Sequence, residues 1–371
     1  MLGDLGARVI KIETPDGGDD TRAWGPPFVN GESSYFLGIN RNKESLTLNL
    51  KDRGGQEVLR RLVRRADVLV ENFRAGTMER LGFDYAAVRS LNTRLVYASI
   101  SGFGQSGPYR ERTAYDLILQ GMGGLMGTTG EEGGSPVKVG VAVTDIAAGM
   151  FAAYGILAAL RVRDRTGTGQ LVDVAMLDSQ VAWMTYQAGY YFATGENPKR
   201  LGSAHPSLVP YQAFLTRDGY VNVAVGSEAI WVRFAPAIGA PQLADDPRFR
   251  TNPDRVSHRE ELIELLEPIF AARTTQEWAS ALEQAGVPAG PIYLLSDLFS
   301  DRQVRHREMV VDIDHPRAGR IKQTGVPIKL SETPGRIASP PPLLGQHTDN
   351  VLRELGYEAA EIAAMRRGDV V

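Results

Sequence analysis

A chain of 371 residues with 43% hydrophobic and 23% charged side chains has an ordinary globular balance and length for two or three domains. Its formal charge of −3, without a basic cluster, argues against nucleic acid or an anionic membrane as the main partner. With no cysteine, disulfides and thiol nucleophiles are excluded, covalent catalysis must use oxygen or nitrogen, and a cytoplasmic location is the default expectation.

In chain order, residues 3–7 read as the end of a helix and 9–12 as a strand, so the element expected ahead of them is missing. The N-terminus lacks the basic start and cleavage site of a signal peptide. Residues 54–65 predict an amphipathic helix with Val58, Leu59, Leu62 and Val63 on one face, followed by a buried strand at 68–71. Helices at 78–81 and 85–91 and a strand at 95–101 continue the alternation, which predicts an α/β fold with a parallel, doubly wound sheet. Residues 139–143 are strand-like and run into a small-residue helix at Asp145, at a strand C-terminal end where open α/β sheets bind ligands. The apolar run 146–160 is too short to span a membrane. A strand at 171–175 and a long helix at 177–194, carrying Trp183, Tyr186, Tyr190 and Tyr191, come next.

From Gly195 to about Pro210 the composition shifts to Gly, Pro, Asn, Ser and His, as in a linker or active-site loop. A hairpin over 211–216 and 220–225 turns at Asp218-Gly219, and helices at 229–238, 259–272 and 275–285 make this a smaller α+β unit. Strand pattern returns at 310–313, 319–322 and 328–330, before a Pro340-Pro341-Pro342 crossover and a helix from Asp349. The expected domains are therefore a large α/β domain over 1–195, a small α+β domain with linkers over 196–305, and a return to the large domain over 306–371.

Asp145 is the leading chemical candidate. A carboxylate at a helix N-terminus is favoured by the dipole and the open N–H groups, which suits a nucleophile and a cap alike. The segment from Asn40 to Lys51 puts cations at both ends of an alternating strand, fitting either a phosphorylated ligand or a solvated edge. Asn72, Phe73, Arg74 and Gly76, with Arg80 beyond, end a buried strand in groups that fit turn chemistry or phosphate binding. Glycines at Gly102, Gly104 and Gly107 form a Gly-x-Gly-x-x-Gly, but Pro108 and Tyr109 follow where a helix should propagate, so it is no dinucleotide fingerprint. The five histidines are scattered without metal-ligand spacing. His347 reads as a helix cap, and His205, in the interdomain loop, is a candidate substrate contact.

Taken in this order, the segments resemble the class III coenzyme A transferases, the family that includes formyl-CoA and carnitine CoA-transferases and the α-methylacyl-CoA racemases. The resemblance rests on Leu2-Gly3-Asp4-Leu5-Gly6-Ala7, Gly18-Asp19-Asp20-Thr21-Arg22, Asn42-Lys43 to Lys51, Ala66-Asp67-Val68-Leu69-Val70-Glu71-Asn72-Phe73, Ala114-Tyr115-Asp116, Thr144-Asp145 and Leu343-Leu344-Gly345-Gln346-His347-Thr348. It covers nearly the whole chain. It implies a Rossmann-like parallel-sheet large domain, a smaller α+β domain and an interlocked homodimer. It places the nucleophile on Asp145 and coenzyme A contacts on Leu48, Asn49, Leu50, Lys51, Asn72, Phe73, Arg74, Arg80, Arg112, Tyr115 and Asp116. The implied substrates are an acyl-CoA and a carboxylic acid, exchanged through aspartyl anhydride and aspartyl-CoA thioester intermediates, with no permanently bound cofactor and no metal.

Racemases of the family carry a His-Asp pair where this chain has Tyr115-Asp116, and a tyrosine is a poor base near neutral pH. That favours transfer over racemisation. The loop around Gly202-Ser203-Ala204-His205-Pro206 looks like the succinyl-CoA:glutarate branch, which implies succinyl-CoA or another dicarboxylyl-CoA as donor. Relatives begin with a strand, a turn and a helix ahead of Leu2. Their absence reads first as a start placed too late; the alternative, a compromised chain, leaves a third reading, a non-catalytic acyl-CoA-binding protein.

Overall fold

The computed structural model describes all 371 residues, which divide into two compact units. The first comprises Met1–Gly123, Val141–Trp183 and Phe299–Val371; the second comprises Gly124–Gly140 and Met184–Leu298. The units part at Trp183 and Leu298, whereas the expected domain boundaries lay at 195 and 305.

The first unit is α/β with parallel pairing. Val9–Glu13 pairs in parallel with Lys43–Thr47, and Val68–Glu71, Val96–Ser101 and Leu171–Ala175 form a second parallel sheet in that order. The single doubly wound sheet expected from the alternation is thus divided into two. One apolar cluster nevertheless serves both, with Ile10, Ile12 and Leu46 from the first sheet and Leu69 and Tyr97 from the second. It is covered by Val58, Leu59 and Val63 of the Arg53–Arg65 helix, the stripe read from the 3.6-residue period.

Glu13 ends its strand almost fully buried and accepts from Arg22 Nε at 2.7 Å and Ser45 Oγ at 2.6 Å. Arg22 in turn lies 3.8 Å over the Phe36 ring. The Gly18 to Arg22 segment is therefore structural: it supplies the charge that lets a carboxylate be buried. The outer edge of Lys43–Thr47 is closed from the C-terminal region. His347 Nδ1 accepts the Ser45 N–H at 3.1 Å, and Thr348 Oγ1 accepts the Thr47 N–H at 3.0 Å. His347 stands at the N-cap of Thr348–Glu354, but its side chain serves the strand, not the helix.

Val143–Thr166 is the longest helix and its apolar length is enough to cross a membrane, longer than the sequence pattern implied. Thr144, Ala147, Ala148, Ala152, Ile156 and Ala159 form its buried face. Ile156 and Ala159 pack on Val96 and Ala98 of the second sheet. Gly155 permits the close approach to the sheet, since a Cβ there would lie 2.7 Å from Val172 Cγ1. Residues 139–142 do not form the strand expected before it, and 328–330 are likewise irregular. The expected 177–194 helix is two helices, Met176–Ala182 and Thr185–Thr194, broken where Thr185 takes φ 29°. In the second unit the hairpin Tyr211–Leu215 and Tyr220–Ala224 forms as expected and gains Ala289–Pro291, antiparallel, as its third strand. Phe214, Phe234, Phe270 and Trp278 stack beneath it in one core, giving an α+β unit.

Candidate active site

Two carboxylates meet at the start of the Val143–Thr166 helix. The helix begins two residues before Asp145, which places that side chain in the first turn and not at a strand end. Ala142, at the N-cap, has no side-chain acceptor to offer. Asp116 does this work from a distant segment. Its Oδ1 accepts the Thr144 N–H at 2.9 Å and the Thr144 hydroxyl, and its Oδ2 accepts Gln120 Nε2 at 2.7 Å. Capping by Asp116 satisfies an open N–H and leaves Asp145 uncommitted.

The Asp145 carboxylate accepts no hydrogen bond from the chain, and its pKa is pushed up to about 6, first by desolvation and then by the Asp116 charge. The residue itself is exposed to solvent, so the group is both reachable and more basic than an ordinary aspartate. At neutral pH it is still mostly ionised. A raised pKa strengthens a carboxylate nucleophile, and the helix N-terminus offers a field for developing negative charge. Tyr35, on the short Ser34–Ile39 helix, is pushed up by burial and by the charges of Asp145 and Asp116. It is a neutral neighbour of both carboxylates, packed edge-on against Trp24 with centroids 4.9 Å apart. Sequence reading missed this pair, because Trp24 and Tyr35 lie on separate elements and are brought together only by the fold.

Of the residues expected to contact coenzyme A, several lie where a ligand can reach them. Phe73, Arg74 and Arg80 are exposed after the Val68–Glu71 strand. Gly76, at φ 82°, opens the Thr77–Leu81 helix there, and the place of its missing Cβ lies 3.6 Å from Arg80 Nη1 and 3.9 Å from Arg110 Nη2. Arg110, not singled out from the sequence, therefore joins Arg80 beside that turn. Asn72 is tied to Ile100 O at 2.8 Å through its amide and holds the two strand ends together. Arg112 lies 4.5 Å over Tyr109, and Tyr115 is 71% exposed.

Other expected contacts are engaged within the chain. Asp116 has both carboxylate oxygens taken by the chain and acts as a cap, so it is not a free ligand group. Leu48 is core, with its N–H given to Glu13 O at 2.8 Å. Leu50 is partly buried against the same core, Asn49 bonds the C-terminal Val370 O through its N–H, and only Lys51 of that segment is exposed. Farther upstream, Arg41 pairs with Asp4 at 2.9 Å, and Lys43 donates to Asn40 Oδ1 at 2.9 Å. Burial, followed by Lys11, pushes Lys43 down to about 8. These cations hold the fold and do not form an open phosphate site.

In the second unit, His205 lines a cavity of about 190 Å³ with Tyr186, Lys199, Ser203 and Tyr211. Its ring stands between Tyr186 and Tyr211, centroids 5.1 and 5.3 Å away.

Comparison with known proteins identifies the family. The model of CoA-transferase family III matches residues 1–348. The succinyl-CoA:glutarate CoA-transferase of Mus musculus is 44% identical over the whole chain and 85% of its own length. The succinate–glutarate CoA-transferase of Agrobacterium fabrum is 43% identical over 96% of the chain and 90% of its own length. Among solved structures, a CAIB/BAIF family protein from Brucella suis superposes with a TM-score of 0.83 at 42% identity, covering 95% of this chain and 93% of that one. With this match along nearly its full length, the chain belongs to CoA-transferase family III and is a CoA-transferase.

Proposed function

We propose that this enzyme moves coenzyme A from a dicarboxylyl-CoA, succinyl-CoA in the first instance, to a second carboxylic acid through Asp145. The observation that carries the reading is the Asp145 carboxylate, uncapped and raised in pKa in the first turn of a long helix whose capping is done by Asp116. An Asp145 oxygen attacks the thioester carbonyl; the carbon–sulfur bond breaks, CoA thiolate leaves and a mixed anhydride forms. The thiolate then attacks the aspartyl carbonyl, releasing the donor acid as its carboxylate and leaving an aspartyl-CoA thioester. The acceptor carboxylate attacks that thioester, expelling thiolate again, and the thiolate takes the acceptor acyl group and returns Asp145 as a carboxylate. Atoms and charge balance without a net proton or water. Thioester energy is retained so long as water is kept from the two acyl intermediates.

Glutarate is the first acceptor to test because the mouse and Agrobacterium relatives are named for it. Coenzyme A contacts are assigned to Lys51, Phe73, Arg74, Arg80 and Arg112, exposed groups in the first unit. Tyr115, standing where the racemases of the family carry a histidine, supports transfer over racemisation. A homodimer belongs to the same reading. Ile146, Met150, Tyr154 and Leu157 are 42%, 52%, 75% and 50% exposed along one side of the Val143–Thr166 helix, an apolar stripe of the kind proteins cover with a partner.

Incubating the enzyme with succinyl-CoA and glutarate tests the function. The expected product is glutaryl-CoA with one succinate released per turnover. Deuterium uptake at the α-carbon of a 2-methylacyl-CoA, without need of an acceptor acid, would establish racemisation instead.

A further inference from the structure

Glu71 is a buried carboxylate that the chemistry above does not use. It ends the Val68–Glu71 strand at 7% exposure, and no lysine or arginine pairs with it. Glu13, by contrast, is buried against Arg22. Burial pushes the Glu71 pKa above the usual glutamate value, and the hydrogen bonds it accepts do not offset this. Leu69, on the same face of the strand two residues earlier, packs in the core at no such cost. An apolar side chain would serve stability as well or better, so the reason for the carboxylate lies in what its two oxygens hold.

Each oxygen holds a different segment. Oε2 accepts the Phe73 N–H at 2.8 Å, which fixes the turn that leaves the strand. Oε1 accepts the Ser99 hydroxyl, and Ser99 Oγ accepts Gln105 Nε2 at 2.8 Å. The Gln105 N–H donates to Asp173 Oδ2 at 3.2 Å. Glu71, Ser99 and Asp173 stand in register across the three parallel strands. One row of side chains thus ties the 72–76 turn to the 102–107 loop. The same strand ends lie beside the start of the Val143–Thr166 helix, where Ile100 and Phe103 pack with Ala148, three residues beyond Asp145. On the turn itself Phe73 is 47% exposed, and Arg74 and Arg80 are exposed with it. An aromatic face beside guanidinium groups complements an adenine base and its phosphates, the nucleotide end of coenzyme A.

We propose that Glu71 is a positioning residue for coenzyme A: through the Phe73 N–H and Ser99 it sets the turn whose Phe73 and Arg74 grip the nucleotide end. Glu71 acts through that turn and does not touch the ligand. This role rests on the coenzyme A contacts assigned above to Phe73, Arg74 and Arg80, and is independent of which acids are exchanged.

Two variants of the full chain test it. Glu71→Gln offers one acceptor oxygen to two donors, and Ser99→Ala removes the link to Gln105 while keeping the carboxylate. In each, the Kd for free coenzyme A measured by calorimetry should rise about tenfold, the value of a lost hydrogen bond to a charged group. The KM for succinyl-CoA should rise with it, while kcat at saturation holds. For succinyl-pantetheine, which carries the thioester but no nucleotide, kcat/KM should not change; a general loosening of the fold would lower both thioesters alike. If Glu71→Gln does not fold, Ser99→Ala gives the same reading. An unchanged coenzyme A Kd in a folded variant, or an equal fall with succinyl-pantetheine, overturns the proposal. A wild-type protein that binds coenzyme A but transfers none from succinyl-CoA to glutarate sinks the functional reading alone, because the Kd comparison still decides the role of Glu71.

Discussion

At the scale of single residues the account turns on Asp145 and Asp116 dividing two tasks. One carboxylate caps the helix and the other is left free to react. Replacing Asp145 with asparagine removes the nucleophile at nearly constant shape, and turnover should fall at least about a thousandfold while acyl-CoA binding persists. The pH profile follows from the raised pKa. A carboxylate that titrates near 6 loses its nucleophilic form as pH falls through that value, so kcat/KM should show an acid limb near pH 6. Asp116→Asn removes the like charge but not the desolvation, so the limb should move to lower pH and remain above that of an ordinary aspartate. An unmoved limb in that variant would mean that Asp116 acts only as a cap. Asp116's capping role was hidden in the sequence because its partner Thr144 lies 28 residues away. The helix start beside Asp145 was legible, since an apolar run breaking at a carboxylate marks a helix start whatever the exact first residue.

Among the elements, what the sequence revealed was what local periodicity controls. The Arg53–Arg65 stripe, the Val68–Glu71 strand and the Tyr211–Ala224 hairpin have their patterns written in adjacent residues. Residues 139–143 read as strand because valines favour strands, yet the edge of Val96–Ser101 available for pairing is taken by Leu171–Ala175, so 139–142 stay irregular and only Val143 enters the helix. The break at Thr185 has no glycine or proline to announce it. Long-range ion pairs are invisible to such reading, and Glu13–Arg22 is the most consequential. With Glu13 carboxyl almost wholly buried, Arg22→Met strands a buried charge and should cost about 3–5 kcal/mol, read as a fall in Tm or in denaturant midpoint. Burial opposes Glu13 ionisation, but Arg22 and Ser45 outweigh it and hold the pKa below the usual glutamate value. The pair's contribution is therefore present above the unfolded pKa and lost as pH falls through the folded one. The deficit of Arg22→Met should be largest near pH 7 and shrink in acid. A deficit independent of pH would assign Arg22 to packing on Phe36 alone.

On the scale of the whole molecule, the exposed apolar stripe of the Val143–Thr166 helix is the feature that one chain does not explain. The protein in solution should have about twice the single-chain mass of 40.4 kDa. Tyr154→Glu combined with Leu157→Glu should shift it toward one chain in size-exclusion chromatography with light scattering. A parent protein that runs as one chain at micromolar concentration contradicts the dimer. Neither the stripe nor the division of the parallel strands into two sheets could be read from hydrophobicity, because helix faces and strand partners are assigned only by the fold.

The central claim is that a single carboxylate carries the acyl group and then the thiol. Its most direct test is to quench the enzyme with hydroxylamine during turnover with succinyl-CoA and to sequence the peptides by mass spectrometry. The account predicts a hydroxamate at Asp145, formed only when succinyl-CoA is present and absent from Asp145→Asn. An unmodified Asp145 peptide from an enzyme that is turning over, or a hydroxamate at another carboxylate, would contradict it.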